Sequence, residues 1–171
     1  MRRYELDKGT YKDIKRKMRV DIAGIEKGTM ANGPGIRNVI FFQGCPHHCP
    51  GCHNPETWSI FGGHSEDIDD VLREVLEPNV DITISGGEPF MQVQCLEYIC
   101  KKCKEAGKNV WVFTGYTIER IKEDVPYTLR YIDVIVDGKY DETQRDLSKF
   151  KGSKNQRICY IENGKVIKIE Q

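Results

Sequence analysis

Apolar positions along the chain follow two alternating rhythms. Residues 39–42 (VIFF) are an unbroken apolar run, which predicts a buried strand. Ile68, Val71, Leu72, Val75 and Leu76 then recur on one helical stripe, and Pro78 follows its end. The alternation continues with a strand over 81–85 (DITIS) and a helix from about 91 to 106, stopped by Gly107. A strand over 109–113 (NVWVF), a short helix over 117–124 ahead of Pro126 and a strand over 131–136 (YIDVIV) complete it. Strands separated by helices of this length form βαβ units, which pair in parallel with right-handed crossovers. The tail differs: residues 157–162 and 165–170 flank Asn163 and Gly164, the strongest two-residue hairpin signal. The pattern predicts an α/β fold with a parallel sheet and a C-terminal β-hairpin. It forms a single domain over 1–171, with no internal repeat, low-complexity stretch or linker.

Composition changes this picture little. Lys+Arg and Asp+Glu both total 26 in 171 residues, so no global field draws the chain to nucleic acid or to a membrane. Residues 1–20 are locally basic, with Arg2, Arg3, Lys8, Lys12, Lys15, Arg16, Lys17 and Arg19, and read as a solvated N-terminal extension. No stretch is long and apolar enough to span a bilayer, and the N-terminus lacks the apolar core of a signal peptide. A cytoplasmic protein with reduced thiols is expected. Its seven cysteines are an odd, clustered set, which suits metal ligation better than a disulfide framework.

Chemistry gathers at one edge of the predicted sheet. In a parallel sheet, ligands bind beyond the carboxyl ends of the strands. There the first strand runs into Cys45-Pro-His-His-Cys49-Pro-Gly-Cys52, inside a connection (44–64) long enough to read as functional. The next runs into Ser85-Gly86-Gly87-Glu88-Pro89, the third into Thr114-Gly115-Tyr116 and the fourth into Asp137-Gly138. Gly86 and Gly87 permit either close approach of a ligand to backbone or a positive φ, and Glu88 puts a carboxylate beside them. A tight turn is the plainer reading of that triplet taken alone.

Three thiolates on a four-iron cubane leave one iron without a protein ligand, the mark of a cofactor site rather than a closed structural one. Spacing alone favours a 4Fe–4S cluster over zinc, although His47, His48 and His53 offer a fourth zinc ligand. Cys95, Cys100 and Cys103 share the second predicted helix with Leu96 and Ile99 and read as core packing, as does Cys159 in the hairpin.

Cys45, Cys49 and Cys52 followed by the Gly86-Gly87-Glu88 loop resemble the radical S-adenosylmethionine superfamily. NGPGIR at 32–37, FFQGC at 41–45 and CHNPETW at 52–58 are similar to its glycyl-radical-enzyme activases. The resemblance is greatest to activases of anaerobic ribonucleoside-triphosphate reductase, through CPGC at 49–52, WVFTGY at 111–116, VIVDG at 134–138 and FKGSKNQR at 150–157. It covers nearly the whole chain beyond the N-terminal extension. Many superfamily members carry an aromatic residue where this chain has Gly51, and many reductase activases have Asp where it has Glu88.

The resemblance implies that Cys45, Cys49 and Cys52 hold the cluster. It further implies that Gly86, Gly87 and Glu88 cradle the methionine amino end of S-adenosylmethionine, and that Gly51 and His53 line the adenosyl side. Reductive cleavage then gives methionine and a 5′-deoxyadenosyl radical, which takes a Cα hydrogen from a glycine of the reductase large subunit. A reduced flavodoxin-type protein is the implied electron donor. A complete eight-stranded barrel takes about 250 residues, so a partial, open (β/α) barrel is expected, its open side admitting the partner's glycine loop. Activation of another glycyl radical enzyme, such as pyruvate formate-lyase, and a non-catalytic iron–sulfur electron carrier are the rival readings. Arg37, Asp137, Asn155, Gln156 and Arg157 carry no assigned role at this level.

Overall fold

The computed structural model describes residues 18–146 and 150–171. Most of the basic extension lies outside the described residues. Among the described residues, eight strands form one sheet in the order β3-β1-β2-β4-β5-β6-β7-β8. Its centre is parallel: β2 (Arg37–Phe42), β4 (Asp81–Gly86), β5 (Val110–Phe113) and β6 (Val134–Asp137). An antiparallel pair stands at each end: β1 (Arg19–Thr29) with β3 (His64–Asp67), and β7 (Arg157–Glu162) with β8 (Lys165–Glu170). Among the described residues the sheet does not close on itself, so the barrel is partial and open, as its length predicts.

The helices α1 (Ile68–Val75), α2 (Val93–Glu105) and α3 (Ile118–Asp124) pack their apolar stripes on one face of the sheet. Strand alternation supplies that face: Ile40, Phe42, Ile82, Ile84, Val110, Val112 and Ile135 are all fully buried there. Leu96, Ile99, Cys100 and Cys103 of α2 lie in the same core, so the packing reading of these cysteines holds. Burial pushes the Cys100 thiol up and the Cys103 thiol to about 12, which leaves both as inert hydrophobes. Cys159 is buried in that core as well. Cys95 sits at its margin, donating to the Arg19 carbonyl at 3.2 Å.

Among the described residues, the other face of the sheet carries no α-helix. Trp111, Val134, Val136 and Ile158 form a smaller cluster there, with Phe113 and Tyr160 against it. Arg37 is the surprise on this side. It is 1 % exposed and donates to Thr83 Oγ1 and to the Ile82 and Asn109 carbonyls at 2.7, 2.7 and 3.0 Å. Its guanidinium also lies 5.5 Å over the Trp111 ring. Those bonds tie β2, β4 and the start of β5 together, which makes Arg37 a fastening of the sheet far from the cysteine loop.

Two strands were not legible in the apolar pattern. β1 buries only Val20 and Ile22 fully, and β3 (HSED) has no apolar residue at all. The predicted hairpin agrees residue for residue with β7 and β8. The helix expected from about 91 is preceded by a 3₁₀ turn over Pro89–Gln92, set by the proline.

Candidate active site

The four loops named from the sequence do meet. Cys45, Cys49 and Cys52 line one cavity of about 670 Å³ with Gly86, Gly87, Gly115 and Gly138. Backbone bonds fold the long loop back on itself: Cys45 N–H donates to the Trp58 carbonyl at 3.1 Å, Gly44 N–H to Thr57 at 2.8 Å and Cys52 N–H to Cys49 at 3.1 Å. None of the three cysteines is in a disulfide. Burial pushes the Cys45 and Cys49 thiols up, partly offset at Cys45 by the N–H groups of His47 and His48.

This donor set fits a 4Fe–4S cluster. Among the described residues, no three His, Cys, Asp or Glu side chains converge as ligands of a single ion would. A cubane makes no such demand, because each thiolate takes a different iron. Trp58 is among the residues lining the same cavity, and its indole Nε1 is a buried donor with no acceptor among the described protein groups. Three disulfide-free thiols on one cavity, each free to take its own iron, fit such a cubane guest.

The glycine pair is explained by its own chain. Gly86 has φ +104, and a Cβ there would stand 2.4 Å from both the N and the O of Phe42. A Cβ on Gly87 would stand 2.2 Å from the Gly44 carbonyl oxygen. The loop leans this closely because Gly87 N–H donates to Phe42 and Glu88 N–H to Gly44, at 2.8 and 2.7 Å. Both glycines thereby present bare backbone to the cavity.

Glu88 is fully buried and stands behind the wall. Its Oε1 accepts from Phe90 N–H at 3.1 Å and from the Thr114 hydroxyl at 2.8 Å. Its Oε2 accepts from Gly115 N–H and lies 2.8 Å from His47 Nε2, which places the imidazole proton on that nitrogen. One carboxylate thus joins the cysteine loop, the loop after β4 and the loop after β5. Gly115 must be glycine for this, since a Cβ there would sit 2.3 Å from the His47 ring. By sequence His47 reads only as a spare zinc ligand; its signal is a histidine inside the cysteine loop with an acid, Glu88, in the facing glycine loop.

His53 lines the cavity and packs on Tyr140, with centroids 4.8 Å apart. Gly51 does not line it; its φ is +68, and a Cβ there would overlap the Glu142 carboxylate. The residues left unassigned find structural work. Asp137 takes the N–H of Ile118 at 2.6 Å and the guanidinium of Arg157, which also grips Glu119 at 2.7 Å. Gln156 accepts from Gly152 and Ser153 and donates to the Gly138 carbonyl at 2.9 Å, while Asn155 donates to Lys139. Together they stitch the 150–157 segment to the loop after β6, beside the cavity.

The 4Fe-4S single cluster domain family matches residues 31–159. The anaerobic ribonucleoside-triphosphate reductase-activating protein of Vibrio cholerae is 34% identical, covering 75% of this chain and 90% of its own. That of Escherichia coli K12 is 31% identical over 77% of this chain and 93% of its own. That of Enterobacteria phage T4 is 35% identical over 74% and 85%. The solved structure of QueE from Escherichia coli aligns with 65% of this chain and 58% of its own, at 18% identity and a TM-score of 0.49. The sequence relatives, together with the three-cysteine cavity, carry the assignment. The chain belongs to the family of anaerobic ribonucleoside-triphosphate reductase-activating proteins, built on a 4Fe-4S single cluster domain.

Proposed function

We propose that this chain is a radical S-adenosylmethionine activase, an oxidoreductase that installs a glycyl radical on the large subunit of anaerobic ribonucleoside-triphosphate reductase. The carrying observation is the cavity in which three disulfide-free cysteines face a glycine pair at the carboxyl ends of parallel strands. When bound, the cluster supplies the electron that cleaves the sulfonium C–S bond of S-adenosylmethionine, from which hydrogen abstraction at a glycine Cα follows.

The residues of this chain do the rest. Cys45, Cys49 and Cys52 hold three of the four irons. Gly86 and Gly87 cradle the methionine amino end with backbone alone, and Glu88 keeps that backbone in place from behind. His53 supplies a ring for the adenosyl side, and Gly51 supplies the turn that brings Cys52 round. The substrate is a polypeptide, and the unclosed sheet supports that reading. Met30 and Phe150, 71% and 39% exposed, stand on the cavity wall, where a glycine loop of the reductase enters.

The electron comes from a reduced flavodoxin-type protein. Ile60, Phe61 and Met91 are exposed, and Ile60 and Met91 approach Gly44, one residue from Cys45, giving such a donor an apolar landing near the cluster. Seven free cysteines support a reducing, cytoplasmic setting, and no helix of the described residues is long and apolar enough to cross a membrane.

The test is anaerobic incubation of the reconstituted protein with reductase, reductant and S-adenosylmethionine. Electron paramagnetic resonance should detect a glycyl radical on the reductase, with 5′-deoxyadenosine formed alongside. A colourless zinc protein, or a radical raised on pyruvate formate-lyase and not on the reductase, would overturn the reading.

A further inference from the structure

We infer that His47 is a positioning residue for S-adenosylmethionine: its imidazole fixes the glycine loop through Glu88, so its loss weakens cofactor binding while the cluster stays. This rests on the activase reading above and goes beyond it, because that reading gives His47 no task.

His47 stands between the two loops that the cluster and the cofactor need. Its backbone N–H donates toward the Cys45 sulfur, and its Nε2–H donates to Glu88 Oε2 at 2.8 Å. The two side chains are 7% and 0% exposed, so this bond is shielded from water. The ring is also held in place by packing. It meets Tyr116 edge-on, with centroids 4.6 Å apart, and lies so close to Gly115 that a Cβ there would come within 2.3 Å of it. Oε2 of Glu88 accepts from Gly115 N–H as well, at 2.8 Å, while Oε1 holds Thr114 and Phe90. Glu88 N–H in turn donates to the Gly44 carbonyl at 2.7 Å, beside Cys45. The glycine loop is therefore tied to the cysteine loop twice, once by backbone at Gly44 and once by side chain at His47.

A carboxylate this deeply buried depends on its donors. Without the His47 N–H, Oε2 keeps only Gly115, and the carboxylate is free to turn toward the donors that remain. The backbone of Gly87, Glu88 and Gly115 moves with it. Gly87 and Gly115 line the cavity, so the displaced wall is the one that cradles the cofactor. The three thiolates stand on other residues and keep their irons. A group that orients a binding residue from behind carries affinity in this way without touching the ligand.

The experiment compares two variants with the unsubstituted protein. His47→Phe keeps a ring against Tyr116 and loses the N–H; His47→Gln loses the ring and offers an amide N–H in place of Nε2–H. After anaerobic reconstitution both should retain the iron–sulfur absorption. S-adenosylmethionine affinity, read by equilibrium dialysis, should fall about tenfold in His47→Phe and return to within about threefold in His47→Gln. In the cluster-free chain, hydrogen exchange at the Gly115 amide should quicken about tenfold in His47→Phe and slow again in His47→Gln. If His47→Phe does not fold, His47→Gln decides alone: near-normal binding and Gly115 exchange support the inference, and a tenfold loss of affinity overturns it. Unchanged affinity in a folded His47→Phe, or weakened affinity with unchanged Gly115 exchange, also overturns it. So does a folded His47→Phe that loses the iron–sulfur absorption, since His47 would then support the cluster itself. Failure of the unsubstituted holoprotein to bind S-adenosylmethionine refutes the activase reading instead, so the two failures are distinguishable.

Discussion

Replacing Glu88 with glutamine tests whether this carboxylate acts on the cofactor or on the loops around it. Two oxygens accept four hydrogen bonds, one from the side chain of each of His47 and Thr114 and one from the backbone of each of Phe90 and Gly115. An amide has one acceptor oxygen. Its best orientation keeps that oxygen on Gly115 and His47 and turns the NH₂ toward Thr114, whose hydroxyl can rotate to accept. The Phe90 N–H then faces another donor. One charge-assisted bond is lost, worth about 1.5–3 kcal/mol, and the others weaken from charged to neutral. The sum is about 3 kcal/mol. For a domain of this size that lowers the melting temperature by about 6–12 °C. The assay is thermal or urea unfolding of the cluster-free chain under anaerobic conditions, beside 5′-deoxyadenosine formation by the reconstituted chain. Both should fall in Glu88→Gln. If unfolding is unchanged while cleavage is lost, the carboxylate serves the cofactor directly and does not clamp the loops.

Three further outcomes are expected. Alanine at Cys45, Cys49 or Cys52 should abolish the broad absorption near 400 nm after reconstitution, whereas Cys103→Ala should keep it and cost roughly 1 kcal/mol of stability as a small cavity; loss of the chromophore in Cys103→Ala would refute the packing assignment. Gly86→Ala drives a Cβ into Phe42 backbone only 2.4 Å away and should lower stability by about 2 kcal/mol or more, together with cluster content; a variant with the original unfolding midpoint would show that the loop does not lean on β2. The Arg157 guanidinium holds Glu119 down to about 2 from 4.5, so this pair's stability is complete above pH 4.5 and disappears as pH falls toward 2. Because Glu119 is mostly exposed, screening limits the effect to about 0.5–1 kcal/mol; Glu119→Gln should therefore match the unsubstituted protein near pH 2 and trail it above pH 4.5, and equal stability at pH 7 would refute the pairing.

What the sequence determined by itself was local. The apolar run at 39–42, the helical stripe of Ile68, Val71, Leu72 and Val75, and Asn163-Gly164 each carry their own period or turn geometry, so β2, α1 and the final hairpin were legible. The three cysteines lie within one short loop, and the strand ends placed the glycine loop opposite them. Tertiary structure decided whatever depends on partners distant in the chain. β3 (HSED) has no apolar signal and is a strand only because β1 pairs with it. Arg37 became a fastening of the sheet through Asn109, 72 residues away, and Glu88 became a clamp through His47 and Thr114, 41 and 26 residues away. A buried charge must find its hydrogen bonds wherever the fold brings donors, and a one-dimensional pattern does not say which donors those are.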